Sequence, residues 1–168
     1  MKLMIDLETL GTKPNSVILS IGAVAFDENG IHDEFYVNVD LENSMALGFG
    51  IDPSTVYWWL KQSSEAGVVL GKNLTIADKA IKEFCSFVCR NEPSEVWANS
   101  PSFDCVMLKS YFNKCGHNDP WAFWIERDYR TFLSLTGASR VYPSIAHNAL
   151  EDAKAQAQTL INYWNSKA

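Results

Sequence analysis

A chain of 168 residues with a net charge of −6, a pI near 5.0 and 47% hydrophobic residues excludes several classes of protein. It is too apolar for a disordered segment and long enough to bury one hydrophobic core, so a single domain over residues 1–168 is expected. The acidic balance excludes a protein that coats long tracts of nucleic acid through a basic stripe. An enzyme that grips only a strand end stays compatible, because bound cations reverse the local field.

No apolar run reaches the length of a membrane span. The first ten residues, MKLMIDLETL, are interrupted by Asp6 and Glu8 and lack a small-residue cleavage site, so they do not read as a signal peptide. A soluble, cytoplasmic protein with no membrane partner is the expectation. Cys85, Cys89, Cys105 and Cys115 show no disulfide framework. A zinc site using His117 is conceivable, but the CxxC pairs of such sites are absent, and buried free thiols are expected.

In chain order, residues 2–8 alternate as a strand, with Leu3, Ile5 and Leu7 on one face and Met4, Asp6 and Glu8 on the other. Residues 17–27 form a second strand, expected to bend near Gly22. The Asp27-Glu28-Asn29-Gly30 stretch reads as a hairpin turn in which Asn-Gly takes positive φ, leading into a third strand over 31–39. Asp52-Pro53-Ser54 opens a short helix to about Gln62. Thr75 to Asp78 resembles a capping box for a helix reaching about Arg90. A fourth strand spans 94–99, and Ser102 is the expected cap of a helix from Phe103 to Cys115. Residues 121–125 read as a fifth strand, and Asp128 caps a helix ending before Gly137. The last helix is the clearest: Asn148 is its N-cap, and Glu151 is placed to reach back to that cap. This order predicts an α/β protein with a mixed five-stranded sheet, its first three strands antiparallel and the others added through helical crossovers.

Three places carry chemistry. Asp6 and Glu8 share one face of a strand with apolar neighbours; two adjacent carboxylates repel and resist burial, and a divalent cation with oxygen ligands would compensate. A wet strand face explains the pair equally well. Asp104 falls in a first helical turn beyond a strand's carboxyl end, where it can serve a site or merely complement the helix dipole. His147 and Asp152 would lie about 140° apart on a continuous helix. The Asn148 cap leaves His147 outside the helix and Asp152 inside it, so the two can converge. Small residues at 149, 153 and 157 let that helix approach the sheet. A loop histidine and a solvated aspartate are the plainer alternatives.

Taken in order, Asp6-x-Glu8, Asp104 and His147-x4-Asp152 form the DEDD constellation with the histidine of its DEDDh branch. The whole chain resembles DnaQ-like 3′-5′ exonucleases, which have an RNase H-like fold. The blocks Asp6-Leu7-Glu8-Thr9-Leu10-Gly11-Thr12, Ser20-Ile21-Gly22-Ala23-Val24, Tyr57-Trp58-Trp59, Trp97-Ala98-Asn99 and Asp128-Tyr129-Arg130-Thr131 are similar to the subgroup containing the exoribonuclease RNase AS and phage exonucleases such as DexA.

The resemblance implies a metal-dependent 3′-5′ exonuclease that trims single-stranded RNA or DNA from its 3′ end. Two divalent cations, Mg²⁺ or Mn²⁺, would be held by Asp6, Glu8, Asp104 and Asp152, with Asp6 bridging them and His147 as general base. Trp58, Trp59 and Phe103 are candidates for stacking on terminal bases, with core packing as the alternative. Arg130 is a candidate for a phosphate, with a structural ion pair the favoured alternative. Thr9 and Asn99 are candidates for the terminal sugar, with a turn or backbone role equally open. The resemblance also allows a homodimer. The competing reading is a non-catalytic module that binds a nucleic-acid end or a nucleotide on the same fold.

Overall fold

A computed structural model describes residues 1–62 and 73–167. The sheet has the spatial order β4-β3-β2-β1-β5-β6. Strands β1 (Lys2–Thr9), β2 (Ile18–Asp27) and β3 (Gly30–Val39) form the expected antiparallel meander. Beyond them, β5 (Glu95–Ala98) lies parallel to β1, and β6 (Glu126–Asp128) parallel to β5. The two-residue β4 (Leu74–Thr75) pairs parallel with the end of β3. The helices are α1 (Leu41–Ala46), α2 (Pro53–Trp59), α3 (Ala77–Asn91), α4 (Asp104–Lys114), α5 (Tyr129–Thr136) and α6 (Ala149–Asn165). Among the described residues no helix is long and apolar enough to cross a membrane.

The alternation read in β1 divides the structure. Leu3, Ile5 and Leu7 enter a core shared with α3 and α4, where Phe84, Phe87, Tyr111 and Phe112 are fully buried. Each such side chain contributes roughly 1.5–3 kcal/mol on burial. The Ile18 amide donates to the buried Tyr111 hydroxyl at 2.9 Å, which satisfies the one polar atom that ring carries inward. Met4 enters the opposite core with Val24, Phe26 and Trp97, covered by Tyr129 and Leu133 of α5 and by Ala153, Ala157, Leu160 and Ile161 of α6. Asp6 and Glu8 continue the Met4 face toward the end of β1.

Several expectations need correction. The sheet has six strands rather than five. Residues 121–125 are not a strand: Trp121 is buried, and Phe123–Ile125 form one 3₁₀ turn that leads into β6. Aromatic content suggested β structure there, but Trp121 packs edge-on against Phe84 and Phe112 and anchors a turn instead. Thr75 belongs to β4, so the N-cap of α3 is Ile76, whose apolar side chain makes no capping hydrogen bond; the Ala77 amide donates to Asn43 Oδ1 from α1 at 2.8 Å. Ser102 does not cap α4 and pairs with the Ser100 hydroxyl at 2.7 Å. Glu151 bonds Ser144 and Lys154 rather than its own cap. At the β2–β3 turn only Gly30 takes positive φ, at 146°, and Asn29 does not. Gly22 stays in register in both ladders, and the irregularities fall at Glu8/Thr9 and Ala25/Phe26. The caps at Asp52, Asp128 and Asn148 form as expected. The cysteines are free; Cys105 is buried, Cys85 and Cys115 partly so, and Cys89 is exposed, contrary to the expectation for that thiol.

Candidate active site

β1 delivers Asp6 and Glu8 to the face under α6, opposite Gly22 and Ser20 of β2 in the ladder. After Glu8 the ladder shifts, and the Thr9 hydroxyl donates to the Gly11 carbonyl at 2.8 Å, turning the chain away from the sheet. α6 arrives from the other side. Asn148 Oδ1 accepts from the amides of Leu150 and Glu151, and the Asp152 amide donates to the Asn148 carbonyl at 2.9 Å. A Cβ on Gly22 would lie 2.2 Å from the Ala149 carbonyl carbon and 2.3 Å from the Leu150 amide nitrogen. Only glycine therefore lets the first turn of α6 rest on β2, beside the residue that pairs with Asp6. The buried Ala149, Ala153 and Ala157 continue that close approach.

The result is a convergence. One ligand-capable oxygen from each of Asp6, Glu8 and Asp152 lies within 4.8 Å of the others. It is the sole cluster of three or more metal-ligating side chains among the described residues, and the cysteines and His117 are not gathered into one. His117 instead contacts Asp78 at 3.0 Å. Asp104 stands in the first turn of α4, 3% exposed, with the Ser100 amide donating to its carboxylate at 3.3 Å. It lies outside the cluster of three, but its charge is felt at both Asp6 and Glu8.

The electrostatics are strained. Burial, then the charges of Asp152 and Asp104, push Glu8 up to about 8. Burial also raises Asp104 to about 7, against the opposing pull of backbone amides and Arg130. Asp6 is raised well above the usual carboxylate range by burial and by all three acidic neighbours, with a hydrogen bond from Gln156 acting the other way. Asp152 is raised by burial and partly relieved by His147. Among the described residues no lysine or arginine lies within 4.0 Å of any of the four carboxylates. Buried carboxylates without a protein counter-ion are costly. A hard divalent cation fits this all-oxygen donor set.

His147 adopts φ = 62°, in the left-handed region. That conformation costs a non-glycine residue on the order of 1–3 kcal/mol, and the surroundings hold it. Its ring meets Trp58 edge to face at 4.8 Å and Trp59 at 6.1 Å. Trp59 is 7% exposed and its indole N–H donates to the Thr9 carbonyl at 2.9 Å, so it is a core residue that ties α2 to the end of β1. Trp58 is 42% exposed. The two tryptophans, Phe103, Thr9 and Glu8 line a cleft of about 460 Å³ that opens beside the acids. Asn99 is exposed just past β5. Arg130 is exposed on the first turn of α5 and, contrary to the favoured expectation, makes no ion pair within 4.0 Å among the described residues. Its charge still acts on Asp104 and Asp128.

Two neighbours of the cluster escaped the sequence reading. Gly22 was read as a bend, not as a seat for α6. Gln156 donates from Nε2 to Asp6 Oδ1 at 2.8 Å. Its spacing was the available signal: four residues after Asp152 is about 40° around a helix, on the same face.

Comparisons with known proteins bear on the family and the fold. The 3′-5′ exoribonuclease Rv2179c-like domain family matches residues 1–164. An exodeoxyribonuclease of Enterobacteria phage T4 is 26% identical, the match covering 76% of this chain and 68% of that protein. The fold matches E. coli exonuclease I in complex with a dA16 oligonucleotide, with a TM-score of 0.68, 16% identity and 98% of this chain covered. This chain spans 41% of that protein's length. The zinc-bound form of the same enzyme with single-stranded DNA gives a TM-score of 0.72 at 16% identity, covering 98% of this chain and 40% of the other. The nuclease domain of 3′hExo, a DEDDh family member bound to rAMP, matches over 98% of this chain and 91% of its own, with a TM-score of 0.63 and 13% identity. The mixed sheet is thus of the RNase H-like kind found in these exonucleases. With its family matched over residues 1–164 and its acids gathered on one sheet face, the chain belongs to the Rv2179c-like 3′-5′ exoribonuclease domains.

Proposed function

We propose that this chain hydrolyses the 3′-terminal phosphodiester of single-stranded RNA or DNA and releases nucleoside 5′-monophosphates, working as one domain over residues 1–168 in the cytoplasm. The observation that carries the reading is the convergence of Asp6, Glu8 and Asp152 oxygens within 4.8 Å, with no lysine or arginine within 4.0 Å of them among the described residues. Asp6, Glu8 and Asp152, with Asp104 behind them, would hold two divalent cations, Mg²⁺ or Mn²⁺. When bound, such cations acidify the attacking water and stabilise the departing 3′ oxygen.

The chain's own groups divide the remaining work. His147 accepts the proton of the attacking water as the new P–O bond forms. The P–O3′ bond breaks, and the departing 3′ oxygen takes a proton from solvent water to end as a hydroxyl on the shortened strand. The held left-handed backbone at 147 fixes the imidazole before substrate arrives, which lowers the entropic cost of the step. The exposed Trp58 and the half-buried Phe103 offer apolar faces on which the terminal base stacks without regard to sequence. Arg130, with no ion-pair partner within 4.0 Å among the described residues, is available to a backbone phosphate. Thr9 has its hydroxyl committed to Gly11, so its part is to shape the cleft floor. Asn99 remains free to reach the terminal sugar. A second copy of the chain as partner is compatible with the exposed aromatics.

The test is a digestion time course. Matched single-stranded RNA and DNA labelled at the 5′ end are incubated with enzyme in Mg²⁺, Mn²⁺ or EDTA. The expected result is a ladder that shortens from the 3′ end, requires the cation, and runs faster on one sugar, which names the substrate. Well-folded protein that binds both strands and cleaves neither would move the assignment to a non-catalytic binding module.

A further inference from the structure

Gln156 is 8% exposed and sits on the face of α6 that carries Asp152. Its amide nitrogen donates to Asp6 Oδ1 at 2.8 Å. A carboxylate facing this bond offers only acceptors, so the amide orientation is fixed by chemistry: nitrogen toward Asp6, oxygen away. That oxygen, Oε1, is buried and has no hydrogen-bond partner among the described residues. Buried amide carbonyls are almost always satisfied, and one left open on a side chain that bonds a member of the acidic cluster needs an account. The second oxygen of Asp6 accepts no hydrogen bond among the described residues.

We infer that Gln156 is a positioning residue for the cation site: its N–H fixes one oxygen of Asp6 so that the other faces the cation, and its free carbonyl accepts a hydrogen bond from the cation's water of hydration. The proposal rests on the cation-site reading above and adds a residue to it. The arrangement explains both ends of the side chain at once. A glutamine that only tied α6 to the sheet would account for the N–H bond and leave Oε1 orphaned. Groups that orient a ligating carboxylate are worth about 10- to 100-fold in metal affinity. A glutamine suits the post better than a lysine, because it restrains Asp6 without neutralising the charge the cation needs.

The test is calorimetric titration of metal-free protein with Mn²⁺, alongside metal-free melting curves. Wild type, Asp6→Ala and Gln156→Met are compared; methionine keeps the volume and removes both polar atoms. The expected result for Gln156→Met is Mn²⁺ affinity lowered about 10- to 100-fold, with a metal-free melting temperature equal to or above wild type, because the orphaned carbonyl is gone. Should Gln156→Met not fold, Gln156→Asn replaces it, keeping the amide one methylene shorter, with the same loss of affinity expected. A lowered melting temperature with Mn²⁺ affinity equal to wild type would mean a tether and overturn the proposal. Wild-type protein that binds no Mn²⁺ would overturn the cation site itself, whereas wild-type binding with unchanged Gln156 variants overturns this inference alone.

Discussion

The two faces of the sheet are built from the same strands and treat polar groups in opposite ways. Under α3 and α4, Leu3, Ile5 and Leu7 meet a layer of buried aromatics, and the polar exception shown there, the Tyr111 hydroxyl, takes a backbone hydrogen bond. Under α6 the same alternation places Met4 in a second apolar core, then Asp6 and Glu8 beside Asp152 and Asp104, with no lysine or arginine within 4.0 Å among the described residues. The first face lowers the free energy of the fold. The second spends part of that gain on holding like charges together, a pattern expected where activity demands a strained site.

Substitutions that separate the faces sharpen this contrast. His147→Ala should lower kcat by about 10²–10⁴-fold, the usual span for a lost general base, while Mn²⁺ affinity by calorimetry stays near wild type. An unchanged rate would break the assignment of His147. Phe84→Ala, on the opposite face, should cost about 3–5 kcal/mol in urea unfolding, while the folded fraction keeps its Mn²⁺ affinity. A parallel loss of metal binding would show that the two faces are not independent.

The pH dependence follows from the raised carboxyls. Glu8, raised from an ordinary 4.5 to about 8, binds its proton more tightly in the folded state than in the unfolded chain. Its protonated form therefore favours folding, and this contribution is present below the unfolded value and lost as pH climbs toward about 8. Asp104, raised to about 7, acts in the same direction. Metal-free protein should thus melt at progressively lower temperature from pH 5 to pH 8, and saturating Mn²⁺ should flatten or reverse the trend. A metal-free melting temperature that rises over this window would contradict the electrostatic account. The smallest effect is expected at Trp58: its ring is exposed, so Trp58→Ala should raise KM for oligonucleotides with little change in melting temperature. Joint loss of stability and activity would return it to a packing role.

The acidic face was legible because each part has a local rule. Strand alternation put Asp6 and Glu8 together, a helix start placed Asp104, and the Asn148 cap reconciled His147 with Asp152. Features that depend on what lies across the fold were not legible. The two-residue β4 exists only because the end of β3 lies beside it, and it takes Thr75 away from its apparent role as a cap. Residues 121–125 carry the composition of a strand, yet a buried Trp121 beside exposed Phe123 and Trp124 makes a turn. Gly22 reads as a bend until the first turn of α6 is seen against it. The tryptophan pair could be divided only once the Trp59 N–H was found on the Thr9 carbonyl. Gln156 falls between these cases, since its spacing from Asp152 was visible but its partner lies 150 residues away.

The most direct test of the contrast is one variant measured twice at pH 8. Asp6→Asn keeps the oxygen that accepts from Gln156 and removes one charge from the cluster. The account predicts that it melts above wild type without metal and cleaves neither RNA nor DNA in Mg²⁺ or Mn²⁺. A variant that melts lower than wild type, or that still shortens strands from the 3′ end, would contradict the claim that this face is strained in order to hold catalytic cations.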